Sequence, residues 1–295
     1  MIIDIHTHVF PEKIAATAID KLSMAAHISP YIEATADRLV QTMAKAGVDL
    51  SVIQPVATAE RQVEKLNDAA ARLNEAHSGL FSFGAMHPDY EGWHDELARI
   101  KRLGLKGIKL HPIYQGVDID DIRFLRILDR TAELGLIVLT HAGYDVGFPG
   151  VVHVSPAMCR HAVEKVGPFD FILAHMGGWR NWDEVPEILA GTGVYIDTAF
   201  STGFMDPLDD GYWTEEDLPM LDRAGALRII RAIGPDHVLF GSDSPWSSQE
   251  DSLRFLKDLA RPAADPEEAG SAEPLTEEEL AGILGENARQ LLAEH

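Results

Sequence analysis

Four histidines, a lysine and an aspartate in this 295-residue chain stand at the ends of short apolar runs: His6 and His8 in IIDIHTH, Lys109 in GIKLHP, His141 in LIVLTHAG, His175 in FILAHMGG and Asp243 in VLFGSDSPW. Imidazole and carboxylate together suit a divalent ion such as zinc, iron, nickel or copper. His6 and His8 lie two apart on a strand, which turns both rings to one face, and Asp4 has the same parity. Alone, such a pair says little; it gains force because ligand-type residues end other strands. His141 or His175, each taken singly, reads first as a hydrogen-bonded structural residue, and the joint pattern reverses that reading. Asp243, in GSDSP, could cap the helix that follows. Alternatively it binds a metal and takes a proton from metal-bound water, whose pKa an open zinc site lowers toward ~7, then passes it to a leaving group. Lys109 shares parity with His111. A buried lysine must be paired or modified: it could hold a substrate carboxylate, bridge two metals as a carbamate, or form a salt bridge with an acid such as Asp4.

These residues need elements that gather them. Apolar runs at 1–4 (leading to His8), 50–56, 80–87, 107–111, 136–141, 169–175, 194–197 and 237–243 are mostly continuous in Val, Ile, Leu and Phe, as in parallel strands buried on both faces. Helical patterns lie between them at 67–77, 95–103, 121–134, 156–166, 183–190, 222–233 and 247–259. Ser155 and Ser248 are placed to cap helices, and Gly47, Gly104, Gly135 and Gly167 to stop them. Eight such units predict a (β/α)8 TIM barrel in one domain, 1–295, whose catalytic groups sit at the C-terminal strand ends. Three segments exceed the minimal barrel: 26–35 after the first strand, the acidic and aromatic 201–221 after the seventh, and 261–274, a Pro/Ala/Glu-rich connector to a terminal helix at 277–293.

The charge balance, 25 basic against 47 acidic residues, gives −22 and repels nucleic acid and anionic membranes. The single cysteine, Cys159, excludes an intramolecular disulfide and reads as a small core residue. With no signal pattern at the N-terminus and no apolar run of ~18 residues, the expected location is the cytoplasm.

The order His-x-His, strand-four Lys, strand-five His, strand-six His and strand-eight Asp resembles the amidohydrolase superfamily. IDIHTH, GIKLHP, THAG, AHMGG, GSDSP and the closing ILGENARQLL narrow the resemblance, over nearly the whole chain, to the amidohydrolase family 2 branch of aminocarboxymuconate-semialdehyde decarboxylase-like metal-dependent hydrolases. The resemblance implies a barrel with a divalent metal, most often Zn2+. In single-metal members the matching ligands are His6, His8, His141 and Asp243, with His175 as acid/base. In two-metal members His175 is also a ligand and a carbamylated Lys109 bridges the ions. The closest motifs belong to the single-metal branch.

The expected activity is hydrolysis of an amide, ester or lactone of a small carboxylic acid, with Asp243 accepting and returning the proton. The alternative is nonoxidative decarboxylation of an unsaturated or aromatic carboxylate, with His175 or Asp243 protonating the carbon that loses carbon dioxide. The lack of an arginine cluster near the strand ends weighs against this alternative. Lys109, His111, Tyr144, His153 and Trp179 are candidate substrate contacts, with Phe148 and Trp246 beside them. The absence of G-x-S-x-G, G-x-G-x-x-G and P-loop motifs sets aside serine-hydrolase and nucleotide-binding chemistry. The partner expected besides a small molecule is a second copy of the chain, meeting it through 201–221.

Overall fold

The computed structural model describes residues 1–262 and 272–295; residues 263–271, the middle of the predicted connector, lie outside them. Eight parallel strands form the barrel wall: β1 Ile3–Thr7, β2 Leu50–Ile53, β3 in two segments (Leu80–Ser82 and Gly84–Ala85), β4 Gly107–Leu110, β5 Ile137–Thr140, β6 Phe171–Leu173, β7 Tyr195–Asp197 and β8 Val238–Leu239. Neighbours in sequence are neighbours in the sheet. The Phe83 amide donates to Ile53 O (3.0 Å) and carries β3 across its break. Closure comes from Ile5 N donating to Phe240 O (2.9 Å) and from the Thr7–Ser244 bridge.

The helices are α1 Glu12–Ala26, α2 Ala36–Ala46, α3 Val63–Ala76, α4 Trp93–Arg102, α5 Ile122–Leu134, α6 Pro156–Val166, α7 Val185–Leu189, α8 Arg223–Ile233 and α9 Gln249–Leu259. Ser155 and Ser248 cap α6 and α9, accepting from Met158 N (3.3 Å) and Asp251 N (3.2 Å). Gly47 and Gly135 end α2 and α5 in the left-handed conformation that glycine adopts without penalty. The predicted terminal helix is instead α10 Glu277–Ala281, a π-helical stretch Gly282–Glu286, and α11 Asn287–Glu294. Gly285 lies so close to Met1 O that no Cβ fits there, and Ile283 O accepts from Phe240 N. Contact with β1 and β8 thus replaces regular helix geometry.

The barrel interior is a cluster containing Ile5, Val52, Phe83, Leu139, Ile172 and Leu239, and Ala288 and Leu291 of α11 join it from one end. A larger cluster seals strands to the outer helices, with buried Cys159 in it. No helix among the described residues is long and apolar enough to cross a membrane.

One expectation is corrected in β1. Asp4 does not share a face with His6. The register shifts between Asp4 and Thr7, and a bulge reverses side-chain parity. Asp4 accepts from Ser242 Oγ (2.6 Å) and Gln249 Nε2 (2.8 Å) at the start of α9, while His6 turns inward. Asp4 is therefore no partner for Lys109.

Candidate metal centre and active site

The strand ends converge at one mouth of the barrel, over a cavity of about 840 Å3 lined by His6, His8, Lys109, His111, His141, His175 and Asp243, among others. His6 and His175 are buried, and their tautomers follow from their partners. His6 Nδ1 donates to Asp197 Oδ2 (2.8 Å), His8 Nδ1 to Gln54 O (2.8 Å), His141 Nε2 to Tyr144 O (3.0 Å) and His175 Nδ1 to Ala199 O (3.0 Å). Each neutral ring therefore turns its other nitrogen, bearing a lone pair, toward the site. His6 Nε2 is 3.2 Å from His8 Nε2, and His175 Nε2 is 3.0 Å from His141 Nδ1. Asp243 Oδ1, buried without a hydrogen-bond partner, stands 3.1 Å from His8 Nε2 and 3.6 Å from His6 Nε2.

Lone pairs at these distances repel unless a proton or a metal cation sits among them. Donor separations of about 3.3 Å are what a four-coordinate ion with ~2.0 Å bonds requires. His6, His8 and Asp243, with donor atoms 3.1–3.6 Å apart, fit a divalent ion, whereas His141 groups with His111 and Asp145 and His175 groups with His6 and Asp197. Lys109 Nζ, 2.9 Å from His6 Nε2, donates into the same cluster.

Burial governs the electrostatics. It pushes His6, His141 and His175 below the usual imidazole range, with the Lys109 ammonium adding to the effect, and so keeps the rings neutral. It also lowers Lys109 to about 8, against the pull of Asp243 and Asp197. Burial works against ionisation of Asp243, and only positive charge among the His6 and His8 nitrogens, carried by a proton or a metal cation, holds its carboxyl below the normal range.

Several site residues also carry strained backbone, as do His27 and Arg180 elsewhere. His175 (φ 62°), Met176 (φ 56°), Phe200 (φ 54°) and Asp243 (φ 64°) are left-handed although none is glycine. Such conformations cost on the order of 1–3 kcal/mol each and persist where the surroundings fix them.

Of the predicted substrate contacts, Lys109, His111 and Tyr144 line the cavity, as does Trp246. His153 does not. Its Nδ1 pairs with Asp118 Oδ1 at 2.6 Å, which holds it on the outside of the loop. Trp179 is buried behind Phe200, ring centroids 6.0 Å apart, with the Arg180 guanidinium 4.6 Å from its ring centroid. The 201–221 segment packs on its own chain: Trp213 Nε1 donates to Ala26 O (2.9 Å), and His27 meets Asp210 (2.7 Å) and stacks on Tyr212.

Three residues escaped the sequence reading. Asp197 orients His6 and accepts from the amides of His175 and Ala199, both at 3.0 Å. Its position at the end of the seventh apolar run was the available signal. Gln54 fixes His8 through its carbonyl and ties β2 to Ile5 O (2.8 Å). Asp145 lines the cavity with Oδ2 3.7 Å from His111 Nε2, and burial pushes its carboxyl up to about 7.

That raised pKa sets a sign. A carboxyl that binds its proton more tightly when folded adds stability fully present below its unfolded pKa of 3.8, and that stability is lost as pH rises through about 7. Asp145→Asn removes this dependence. Urea unfolding from pH 5 to 7 should show the variant gaining on the parent by about 1.4 kcal/mol per pH unit and then running parallel above pH 8. A constant gap across that range would disprove the assignment.

The loop carrying Tyr144 and Asp145 is held by Gly143 (φ 86°), which bridges Trp179; Tyr144 N donates to Trp179 O (3.0 Å) and Trp179 N to Ala142 O (2.9 Å). A Cβ on Gly143 would overlap the Trp179 backbone. Gly143→Ala should cost about 3 kcal/mol or more, read by denaturant unfolding; a loss below ~1 kcal/mol would show that the loop gives way easily.

An amidohydrolase family model matches residues 3–293. No curated protein matches significantly. Similar solved structures include 5-carboxyvanillate decarboxylase from Sphingomonas paucimobilis, 15% identical with a TM-score of 0.65, covering 99% of this chain and 98% of that one. A dihydroxybenzoic acid decarboxylase from Polaromonas sp. JS666, solved with manganese and the inhibitor 2-nitroresorcinol, is 16% identical with a TM-score of 0.64 (99% and 96% covered). A candidate 2-pyrone-4,6-dicarboxylic acid hydrolase from Pseudomonas putida is 18% identical with a TM-score of 0.62 (99% and 97%). At such identities the likeness speaks for the (β/α)8 barrel alone.

Proposed function

This chain belongs to the amidohydrolase family, a family of metal-dependent enzymes, and from that premise we propose that it hydrolyses an amide, ester or lactone of a carboxylic-acid-type substrate. The carrying observation is Asp243: a buried carboxyl group whose Oδ1 has no hydrogen-bond partner among the described residues and stands 3.1 Å and 3.6 Å from the Nε2 atoms of His8 and His6. His6, His8, His141 and Asp243 would hold the divalent ion, Zn2+ or Mn2+. Bound there, it supplies Lewis acidity toward a carbonyl oxygen and acidifies water.

The chain's own groups do the rest. Asp243 takes the proton of the attacking water and returns it to the departing nitrogen or oxygen. Asp197 and Gln54 keep His6 and His8 in one tautomer through this transfer. His175 Nε2 presents a lone pair beside them as a second proton acceptor. Among the described residues the lining includes Lys109 and Lys21 but no arginine, and so supplies no guanidinium clamp for a carboxylate about to depart as carbon dioxide.

Decarboxylation stands as a second reading because of Asp145. Its carboxyl carries a proton up to about pH 7 and faces the cavity, where it could protonate carbon. One experiment separates the two. The metal-loaded protein is incubated in 18O water with small amides, esters and lactones, and in parallel with hydroxybenzoates. One 18O per product without carbon dioxide release supports hydrolysis; carbon dioxide without 18O in the remaining product establishes the second reading and ends the first.

A homodimer joined through residues 201–221, where Phe204 and Tyr212 are exposed, belongs to the same proposal. Light scattering at about twice the 32.4 kDa chain mass is expected, and the single-chain mass would refute it.

A further inference from the structure

The cavity has a wall that neither metal binding nor proton transfer uses. Helix α1 buries Ala15, Ile19, Ser23 and Ala26 against the barrel. It presents a second apolar row, Ile14, Ala18 and Leu22, spaced four residues apart, to the cavity. Ile14 is 52% exposed and borders the cavity. Ile28 and Phe200 also line the cavity. The volume of about 840 Å3 lies within the ~300–1,000 Å3 that takes drug-sized ligands, well beyond a single-ring acid.

Charge is as uneven as shape. Among the described residues, two ammonium groups line the cavity. Lys109 is engaged at the floor with His6 Nε2. Lys21 stands on α1 one turn beyond Ala18, exposed, with no carboxylate within 4 Å among the described residues. The acids Asp145 and Asp243 lie with the histidines. A second anionic group on the substrate therefore finds its counter-ion in Lys21, on the same helix as the apolar row and, unlike Lys109, not among the charges that act on the histidines.

We propose that the substrate is an elongated amphipathic molecule. Its scissile carbonyl lies at the histidine cluster, its apolar body lies along Ile14, Ala18 and Leu22, and a terminal carboxylate meets Lys21. This rests on the hydrolytic reading for the bond that is cut, but recognition is measurable without turnover.

Calorimetric binding to the metal-loaded protein, with acetamide, octanamide and suberic acid monoamide as probes, tests it. Octanamide should bind at least ~10-fold more tightly than acetamide, the apolar wall supplying the difference. Suberic monoamide should bind ~2–5-fold more tightly still, as expected for one charge-assisted contact at the cavity rim. Lys21→Met should erase the second step alone and Lys21→Arg should retain it. Ile14→Ser with Leu22→Ser should weaken both long probes equally. Equal affinity for octanamide and suberic monoamide, or an advantage that survives Lys21→Met, overturns the carboxylate contact. Equal affinity for acetamide and octanamide overturns the apolar wall. The predicted binding pattern without ammonia release supports this inference while counting against hydrolysis.

Discussion

Asp243→Asn is expected to lower kcat/KM by about 10³-fold while leaving the metal-free protein at least as stable as the parent. The two halves of this result come from one atom. Oδ1 of Asp243 is buried, lacks a hydrogen-bond partner and lies 3.1 Å and 3.6 Å from the Nε2 atoms of His8 and His6. As a carboxylate it contributes negative charge that only a cation balances, and it accepts a proton during turnover. An amide cannot serve as that proton acceptor, hence the loss in rate. Yet the amide brings N–H donors to ring nitrogens that otherwise face one another with lone pairs, so the metal-free fold loses a repulsion. Kinetics with excess metal, paired with thermal melts of the metal-stripped protein, check both halves. Turnover within ~10-fold of the parent would remove Asp243 from the chemistry. Lost activity with a melting temperature many degrees lower would make it a structural residue.

How much of this could be read from residue order varies with the kind of residue. The barrel was legible because eight apolar runs end in loops and alternate with helical periods, and glycines such as Gly47 and Gly135 mark the helix ends. The histidines, Lys109 and Asp243 were legible because the same runs place them at one end of every strand concerned. Asp4 was misread because a single bulged residue between it and Thr7 reverses parity, and nothing in IIDIHTH announces a bulge. His153 was misread because loop residues have no period, so whether a ring faces the cavity or a neighbour such as Asp118 depends on loop conformation. Asp145, four residues from His141, was hidden for the same reason. Gln54 acts on His8 through its backbone carbonyl, a role any residue type could fill, and so left no trace in its identity.

Adding Zn2+ or Mn2+ to metal-free protein should raise its stability, and His6→Ala combined with His8→Ala should abolish that rise. At a metal concentration one hundred times Kd the linkage is about 2.7 kcal/mol, equivalent to a few degrees for a chain of this size. The size of the rise, rather than the melting temperature itself, is the quantity to compare, because the double variant also loses stability for an unrelated reason. His6 Nδ1 is a donor to buried Asp197 Oδ2, and removing it orphans that oxygen at a cost of about 1–3 kcal/mol. Asp197, already raised to about 6 by burial, has less to hold its charge once that donor is gone. The variant should therefore melt lower than the parent without metal and show no response to metal. Elemental analysis of the parent then counts the ions. One equivalent fits His6, His8, His141 and Asp243, leaving His175 free for proton transfer. Two equivalents would bring His175 and a modified Lys109 into the ligand set, since Lys109 Nζ already lies 2.9 Å from His6 Nε2. An undiminished metal response in the double variant would place the ion elsewhere and with it the reaction.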